Sequence, residues 1–198
     1  MSRWEPDAQG RLLRAALDLF TEHGYDSTTT AQIAERAGLT KTTLFRLFSD
    51  KREIVFQGQG TLVALVTEGV EQAPADSIPA ALMIEGIRLL SGAHTEDHRR
   101  TGRILDPILA SSPELAERAI AKRFAITAAL ELALVKRGVD TAQAGVLADL
   151  GVRAYYSGYD VWVASDDPVP LADYVLDQIQ HLLQAVADVA RNGQLSPS

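Results

Sequence analysis

The chain contains no cysteine. A disulfide, a zinc–thiolate site and a thiol nucleophile are therefore excluded, and the fold is indifferent to redox compartment. No uninterrupted apolar run approaches the roughly 18 residues of a membrane span, and Met1 to Gly10 lacks the basic-then-apolar layout of a secretion signal. No membrane partner is expected, and the cytoplasm is the expected location. Nor does any stretch show the period-2 alternation of a half-buried strand, an internal repeat or a low-complexity tract. No nucleophile–base spacing, paired-carboxylate motif or glycine-rich phosphate loop stands out, so neither an enzymatic activity nor a cofactor is expected.

Positive charge is scarce as well: 19 Lys and Arg face 26 Asp and Glu, for a net charge of −7. Its distribution is uneven. Residues 1–57 hold eight basic side chains (Arg3, Arg11, Arg14, Arg36, Lys41, Arg46, Lys51, Arg52) and eight acidic ones (Glu5, Asp7, Asp18, Glu22, Asp26, Glu35, Asp50, Glu53), leaving 11 basic and 18 acidic for the remainder. All the excess acid sits after residue 57, which suits a neutral segment able to approach a polyanion, attached to a body that avoids one.

What the sequence has throughout is helical periodicity. A first helix is expected from about Asp7 to His23, with Leu13, Ala16, Leu17 and Phe20 as its apolar stripe and Gly24 as its stop. Thr29 and Gln32 form a capping box that opens a short helix ending near Gly38; Thr40 caps the next helix, which runs to Phe48. Asp50 and Glu53 form a second box, launching a longer helix toward Gln72 with Gly58 and Gly60 inside it as a pivot. After a loop from Pro74 to Pro79, helices are expected near 79–93, 96–110, 113–136, 141–164 and 171–191. Pro113 suits a first helical position, Asp140 with Gln143 makes a further box, and Pro107 should kink or break its helix. Asn192 to Ser198 read as frayed.

One constellation carries a function. A helix-turn-helix needs a small residue where its helices cross, a residue tolerant of positive φ in the turn and an apolar anchor under the second helix. Ala34, Gly38 and Leu44 occupy these places, with Ile33, Leu39, Leu47 and Phe48 completing the buried face. The outward face of the second helix then shows Lys41, Thr42, Thr43, Phe45 and Arg46, suited to base edges and phosphates in a major groove. Thr29, Thr30 and Thr40 stand at helix N-termini, where hydroxyls and free N–H groups favour phosphate, and Lys51 can clamp the backbone from the following helix.

The stretch LDLFTEHGYDSTTTAQIAERAGLTKTTLFRLFSDKREIVF, Leu17 to Phe56, resembles the N-terminal domain of TetR-family regulators. The resemblance implies phosphate contacts for Thr29 and Thr30, base reading by Lys41, Thr42 and Thr43, and a backbone-holding lysine at Lys51. Phe45 replaces the family's usual tyrosine and Leu47 a frequent histidine, so both positions lose a polar contact. The implied architecture is all-α: a three-helix helix-turn-helix DNA-binding domain at 1–57, joined by a linking helix to a larger helical effector-binding and dimerisation domain at 58–198. The implied function is a ligand-responsive repressor that binds a palindromic double-stranded DNA operator as a homodimer. A DNA-binding regulator without a small-molecule effector and a helical protein-interaction module are the alternatives.

The C-terminal half offers three further features. In the last helix, Val175, Ile179, Leu182, Val186 and Val189 form one stripe with Leu176, Leu183, Ala187 and Ala190 beside it, wider than one partner helix needs. Ala144, Ala148, Gly151 and Gly158 give the preceding helix small side chains for close approach, so the two helices are candidates for a four-helix dimer interface. Tyr155, Tyr159 and Trp162, with Phe124, are candidates for lining an apolar effector cavity, and Arg99 and Arg103, in a cluster with Arg100, for receiving an anionic group at its mouth. This half also faintly resembles regulators that bind acyl-CoA-like ligands, which would suit an apolar or amphipathic effector. His94 and His98 have metal-ligand spacing, but no third ligand is evident beyond Glu96 or Asp97, so no metal is expected.

Overall fold

A computed structural model of the chain describes residues 7–192; the rest of the N-terminal stretch and residues 193–198 of the expected frayed tail lie outside the described residues. Among the described residues there are ten helices and no strand: α1 (Ala8–His23), α2 (Thr30–Arg36), α3 (Lys41–Leu47), α4 (Lys51–Val55), α5 (Gln59–Gln72), α6 (Pro79–Gly92), α7 (Glu96–Ser111), α8 (Pro113–Lys136), α9 (Thr141–Ala164) and α10 (Leu171–Asn192). None is long and apolar enough to cross a membrane.

Local chemistry sets most of the boundaries. Asp7 caps α1 by accepting from the Gly10 N–H, and Gly24 ends that helix at φ 80°. Thr29 and Gln32 form the reciprocal capping box of α2. Asp50 accepts from the N–H groups of Arg52 and Glu53, while Glu53 reaches back one residue further than expected, to the Ser49 N–H at 2.7 Å. Asp140 caps α9 in the same manner, accepting from Ala142 and Gln143.

Two expectations are corrected. The helix launched at Asp50 does not run on to Gln72: it ends at Val55, a turn over residues 56–58 follows, and α5 starts anew at Gln59. Gly58 adopts φ 81°, a left-handed conformation that L side chains rarely adopt, so its place is in the turn and not within a helix. Pro107, conversely, does not break its helix; α7 continues through it to Ser111.

The chain divides into two packing units, residues 1–60 with 101–120, and residues 61–100 with 121–198. The segment 101–120 groups with the N-terminal unit although it lies far from it along the chain. Packing explains its assignment. Ile108 and Leu115 are buried in one cluster with Leu12, Phe20, Ile33, Leu44 and Ile54, and Leu115 is fully covered. An apolar stripe does not reveal which core will bury it.

The second unit is built on α5, α6, the later part of α8, α9 and α10 around Val66, Met83, Ile87, Ile126, Leu130, Leu134, Val152 and Ile179. Its small residues act inside the chain. A Cβ on Gly158 would stand 2.8 Å from the Val175 Cα, and one on Gly151 2.9 Å from the Met83 sulfur. The glycines of α9 therefore bring α10 and α6 close, and are not available to a second subunit as expected. The stripe of α10 is divided along its length: Val175 and Ile179 are buried, whereas Val186 is 54% and Val189 72% exposed.

Candidate functional site

In the first unit, α2 and α3 are joined by a turn whose geometry depends on Gly38. Its φ is 66°, and a Cβ there would lie 2.8 Å from an Arg11 guanidinium nitrogen. Arg11 donates to the carbonyl oxygens of Ala37 and Gly38, placing a cation on the C-terminal end of α2. This residue has no place in the sequence pattern, because only the fold brings α1 against the turn. Ala34 and Leu44 are buried where the two helices cross, Ile33 and Phe48 are buried beside them, and Leu39 and Leu47 are half-buried. Leu47 is a packing residue.

The outward face of α3 is available. Lys41, Thr42, Phe45 and Arg46 are exposed, Phe45 to 47%, and the Lys41 ammonium lies 5.7 Å from the Phe45 ring centre. Among the described residues no hydrogen bond or ion pair engages the charged groups of Lys41 and Arg46. Thr43 is half-buried; its hydroxyl pairs with that of Thr40 at 2.9 Å, and the Thr40 oxygen also accepts from the Thr43 N–H.

Three expected phosphate contacts are otherwise employed. The Thr29 hydroxyl donates to Gln32 Oε1 and accepts from the Gln32 N–H, so it has no second proton for a phosphate. The Thr40 hydroxyl serves the cap of α3, and among the described residues no hydrogen bond engages the hydroxyl of Thr30, half-buried at the start of α2. Lys51 Nζ donates to the carbonyl oxygens of Tyr25 at 2.6 Å and Thr28 at 3.1 Å, reaches that of Asp26 at 3.5 Å, and stands 4.0 Å from the Tyr25 ring centre. All three ammonium donors point into the α1–α2 loop, an arrangement that shapes the loop presenting Thr29. Lys51→Met is expected to lower the unfolding free energy by about 2 kcal/mol, the scale of hydrogen bonds to a charged group. Chemical denaturation checks this; a fall in the salt dependence of DNA binding at unchanged stability would return Lys51 to the phosphate backbone.

The second unit holds an aromatic cluster at the α6–α7 turn and α9. His94, half-buried, shares a hydrogen bond of 3.1 Å between Nε2 and the Tyr155 hydroxyl, and its ring centre lies 6.0 Å from that of Tyr159 and 6.2 Å from that of Trp162. Its Nδ1 is buried beside the Leu90 and Ser91 carbonyls without a well-formed bond. Burial, reinforced by the nearby charges of His98 and Lys122, lowers the His94 pKa to about 4. Burial likewise raises that of Tyr155.

The other expected effector residues take different places. Arg99 is 3% exposed and donates to the carbonyl oxygens of Asp167 at 2.8 Å and Val169 at 3.2 Å, while stacking 4.7 Å from the Trp162 ring centre. It pins the α9–α10 loop instead of lining a pocket mouth. Arg103 is exposed and belongs to the first unit, and Phe124 is 73% exposed. His98 directs Nδ1 to Thr95 at 2.9–3.0 Å, and no group of three or more metal-binding side chains exists among the described residues. A cleft of about 300 Å³ lies elsewhere in this unit, lined by Gly69, Gln72, Glu85 and Arg88, and contains none of these residues.

Comparison with known proteins agrees with this geometry. Residues 12–57 match the model of the bacterial regulatory proteins, tetR family. An uncharacterized HTH-type transcriptional regulator of Mycobacterium tuberculosis is 31% identical over 87 residues, 44% of this chain and 44% of the relative. The HTH-type transcriptional activator FasR of Mycolicibacterium smegmatis is 36% identical over 67 residues, 34% of this chain and 31% of that protein. The matched stretches thus span less than half the length of these curated relatives. In fold, the chain is similar to Thermus thermophilus FadR, a TetR-family transcriptional repressor solved in complex with lauroyl-CoA. The TM-score is 0.51 at 23% identity, covering 88% of this chain and 93% of that one. With its helix-turn-helix and the match of residues 12–57 to the family model, the chain carries a tetR-type N-terminal domain, followed by a helical second unit.

Proposed function

We propose that the protein is a cytoplasmic, sequence-specific DNA-binding transcriptional regulator, a homodimeric repressor of a palindromic operator released by a small apolar or amphipathic effector. The observation that carries the reading is the α3 face. Lys41, Thr42, Phe45 and Arg46 project from a helix fixed by Ala34, Gly38 and Leu44, with two cationic groups that no ion pair or hydrogen bond engages among the described residues. Lys41, Thr42 and Thr43 are assigned to base edges, Arg46 and Thr30 to phosphates, and Phe45 to thymine methyl groups. Thr29, Thr40 and Lys51 hold the reader in shape.

The later part of α10 supports the homodimer. Leu183, Val186 and Val189 recur at helical spacing and stay exposed, and a two-fold contact there would cover an apolar face of this kind. The effector is assigned to the second unit on the aromatic cluster of Tyr155, Tyr159 and Trp162. The lauroyl-CoA bound by the Thermus FadR supports an amphipathic ligand only by likeness of fold.

Selection of bound sequences from random DNA tests the reading. The expected product is a palindrome whose half-sites lie about one helical turn apart. Val186→Glu with Val189→Glu is expected to yield a monomer by light scattering that recovers at most single half-sites. A wild-type selection that enriches no sequence would refute the DNA-binding assignment, and asymmetric single sites would refute the dimer.

A further inference from the structure

Helix α4 is five residues long, too short to hold its place by its own hydrogen bonds. Its pose is set by what its side chains reach. Ile54 and Val55 are buried in the core of the first unit, and Leu115, from the first turn of α8, is buried in that same core. The residue before it, Glu114, brings a carboxylate to α4: its Oε1 lies 3.0 Å from Arg52 Nη1.

The guanidinium carries this contact onward. Arg52 Nε and Nη2 donate to Asp50 Oδ2, at 3.1 and 2.6 Å. The other carboxylate oxygen of Asp50 accepts from the N–H groups of Arg52 and Glu53, which caps α4. Glu114, Arg52 and Asp50 thus form one chain of charge-assisted bonds that ends on the N-terminus of α4. Only residues 48–50 separate that end from Leu47, the last residue of α3, and within them the Ser49 N–H is held by Glu53 at 2.7 Å. A displacement of the α4 N-terminus is therefore passed to the C-terminal end of α3, where Phe45 and Arg46 stand exposed.

We propose that Glu114 is a positioning residue for DNA reading, holding α3 through Arg52 and Asp50 in the orientation that fits the operator. This rests on the DNA-binding reading given above. Glu114 lies outside residues 12–57, the stretch that matches the family model, so nothing local to the helix-turn-helix reveals it. An acid gains nothing from a phosphate; its direct effect on DNA is repulsion. Taking away a repelling charge strengthens binding to every sequence, whereas taking away a support weakens binding to the operator alone.

The test compares full-length wild type and Glu114→Gln on the selected operator and on a shuffled duplex, by fluorescence anisotropy at one salt concentration, with active protein counted by stoichiometric titration. Glutamine keeps the shape of the side chain and removes its charge. Operator affinity is expected to fall about fivefold or more, the scale of one well-formed exposed ion pair, while affinity for the shuffled duplex stays unchanged. In an Arg52→Gln background the same substitution should change nothing further, because the contact it removes is already gone. Unchanged operator affinity, an equal change on both duplexes, or a full additional loss in the Arg52→Gln background would each overturn the proposal. The backbone amide NMR shifts of Thr42 to Leu47 in the free protein give a readout without DNA: Glu114→Gln should move them, and unmoved shifts would also overturn it. A wild type that prefers no sequence would instead remove the DNA-reading assignment, and moved shifts would then keep Glu114 as a support of α3 alone.

Discussion

Replacing Lys41 and Arg46 together by alanine is expected to weaken operator binding at least about a hundredfold at roughly 0.15 M salt, and to flatten its salt dependence. Both side chains are exposed and their charges uncommitted, so they are free to displace counterions from DNA. A dimer carries two copies of each. With Arg46 on phosphates, its loss from both subunits should lower the slope of log affinity against log salt by about 2, at roughly 0.9 per phosphate. Fluorescence anisotropy over a salt series measures both quantities. Thermal unfolding should not move, because neither side chain packs in the core or makes an ion pair among the described residues. If Arg46 reads a guanine instead, the single variant Arg46→Ala would relax sequence preference at one position while Lys41→Ala alone changed the slope. An unchanged slope in the double variant would mean that the exposed face of α3 does not meet DNA.

Acidification from pH 7 to pH 4 is expected to remove about 3 kcal/mol of stability through His94 alone. The sign follows from linkage. An unfolded histidine titrates near 6.5, whereas burial and the charges of His98 and Lys122 lower the folded value to about 4. Below about pH 6.5 the unfolded chain therefore binds a proton that the native protein refuses, so stability is fully present above that pH and declines through the window down to about 4. At roughly 1.36 kcal/mol per unit the accumulated loss by pH 4 is about 3 kcal/mol. His94→Gln, which keeps a polar group opposite the Tyr155 hydroxyl without a titrating ring, should show a pH dependence shallower by that amount. Denaturant unfolding of both proteins at pH 7, 5.5 and 4 checks it; parallel profiles would show that the imidazole is hydrated and titrates normally.

Much of the chain was legible from local chemistry. Capping at Thr29, Thr40, Asp50 and Asp140, the stop at Gly24 and the turn at Gly38 depend on neighbours within a few residues, and each appears in the fold where the sequence places it. The helix-turn-helix was readable for the same reason: Ala34, Gly38 and Leu44 do their packing within eleven residues of chain. The misplaced features depend on partners distant in sequence. Lys51 reads as a free cation until the α1–α2 loop carbonyls, at Tyr25 and Thr28, surround it. Arg99 reads as the mouth of a pocket until Asp167 and Val169, almost seventy residues away, take its donors.

The sequence by itself determined the all-α class, the reader helix and its exposed residues, because helix periodicity, capping and turn conformation are short-range and leave repeating signatures. Only the tertiary structure decided which of those residues remain available. It committed the hydroxyls of Thr29 and Thr40 and the ammonium of Lys51 to the reader's own framework and drew residues 101–120 into the first core. It also turned Phe124 to the surface. Apolar burial is non-directional and long side chains reach several partners, so an amphipathic stripe shows that a face will be covered without showing by what. In the helix-turn-helix the fold therefore leaves Lys41, Thr42, Phe45 and Arg46 exposed and Thr30 and Thr43 half-buried.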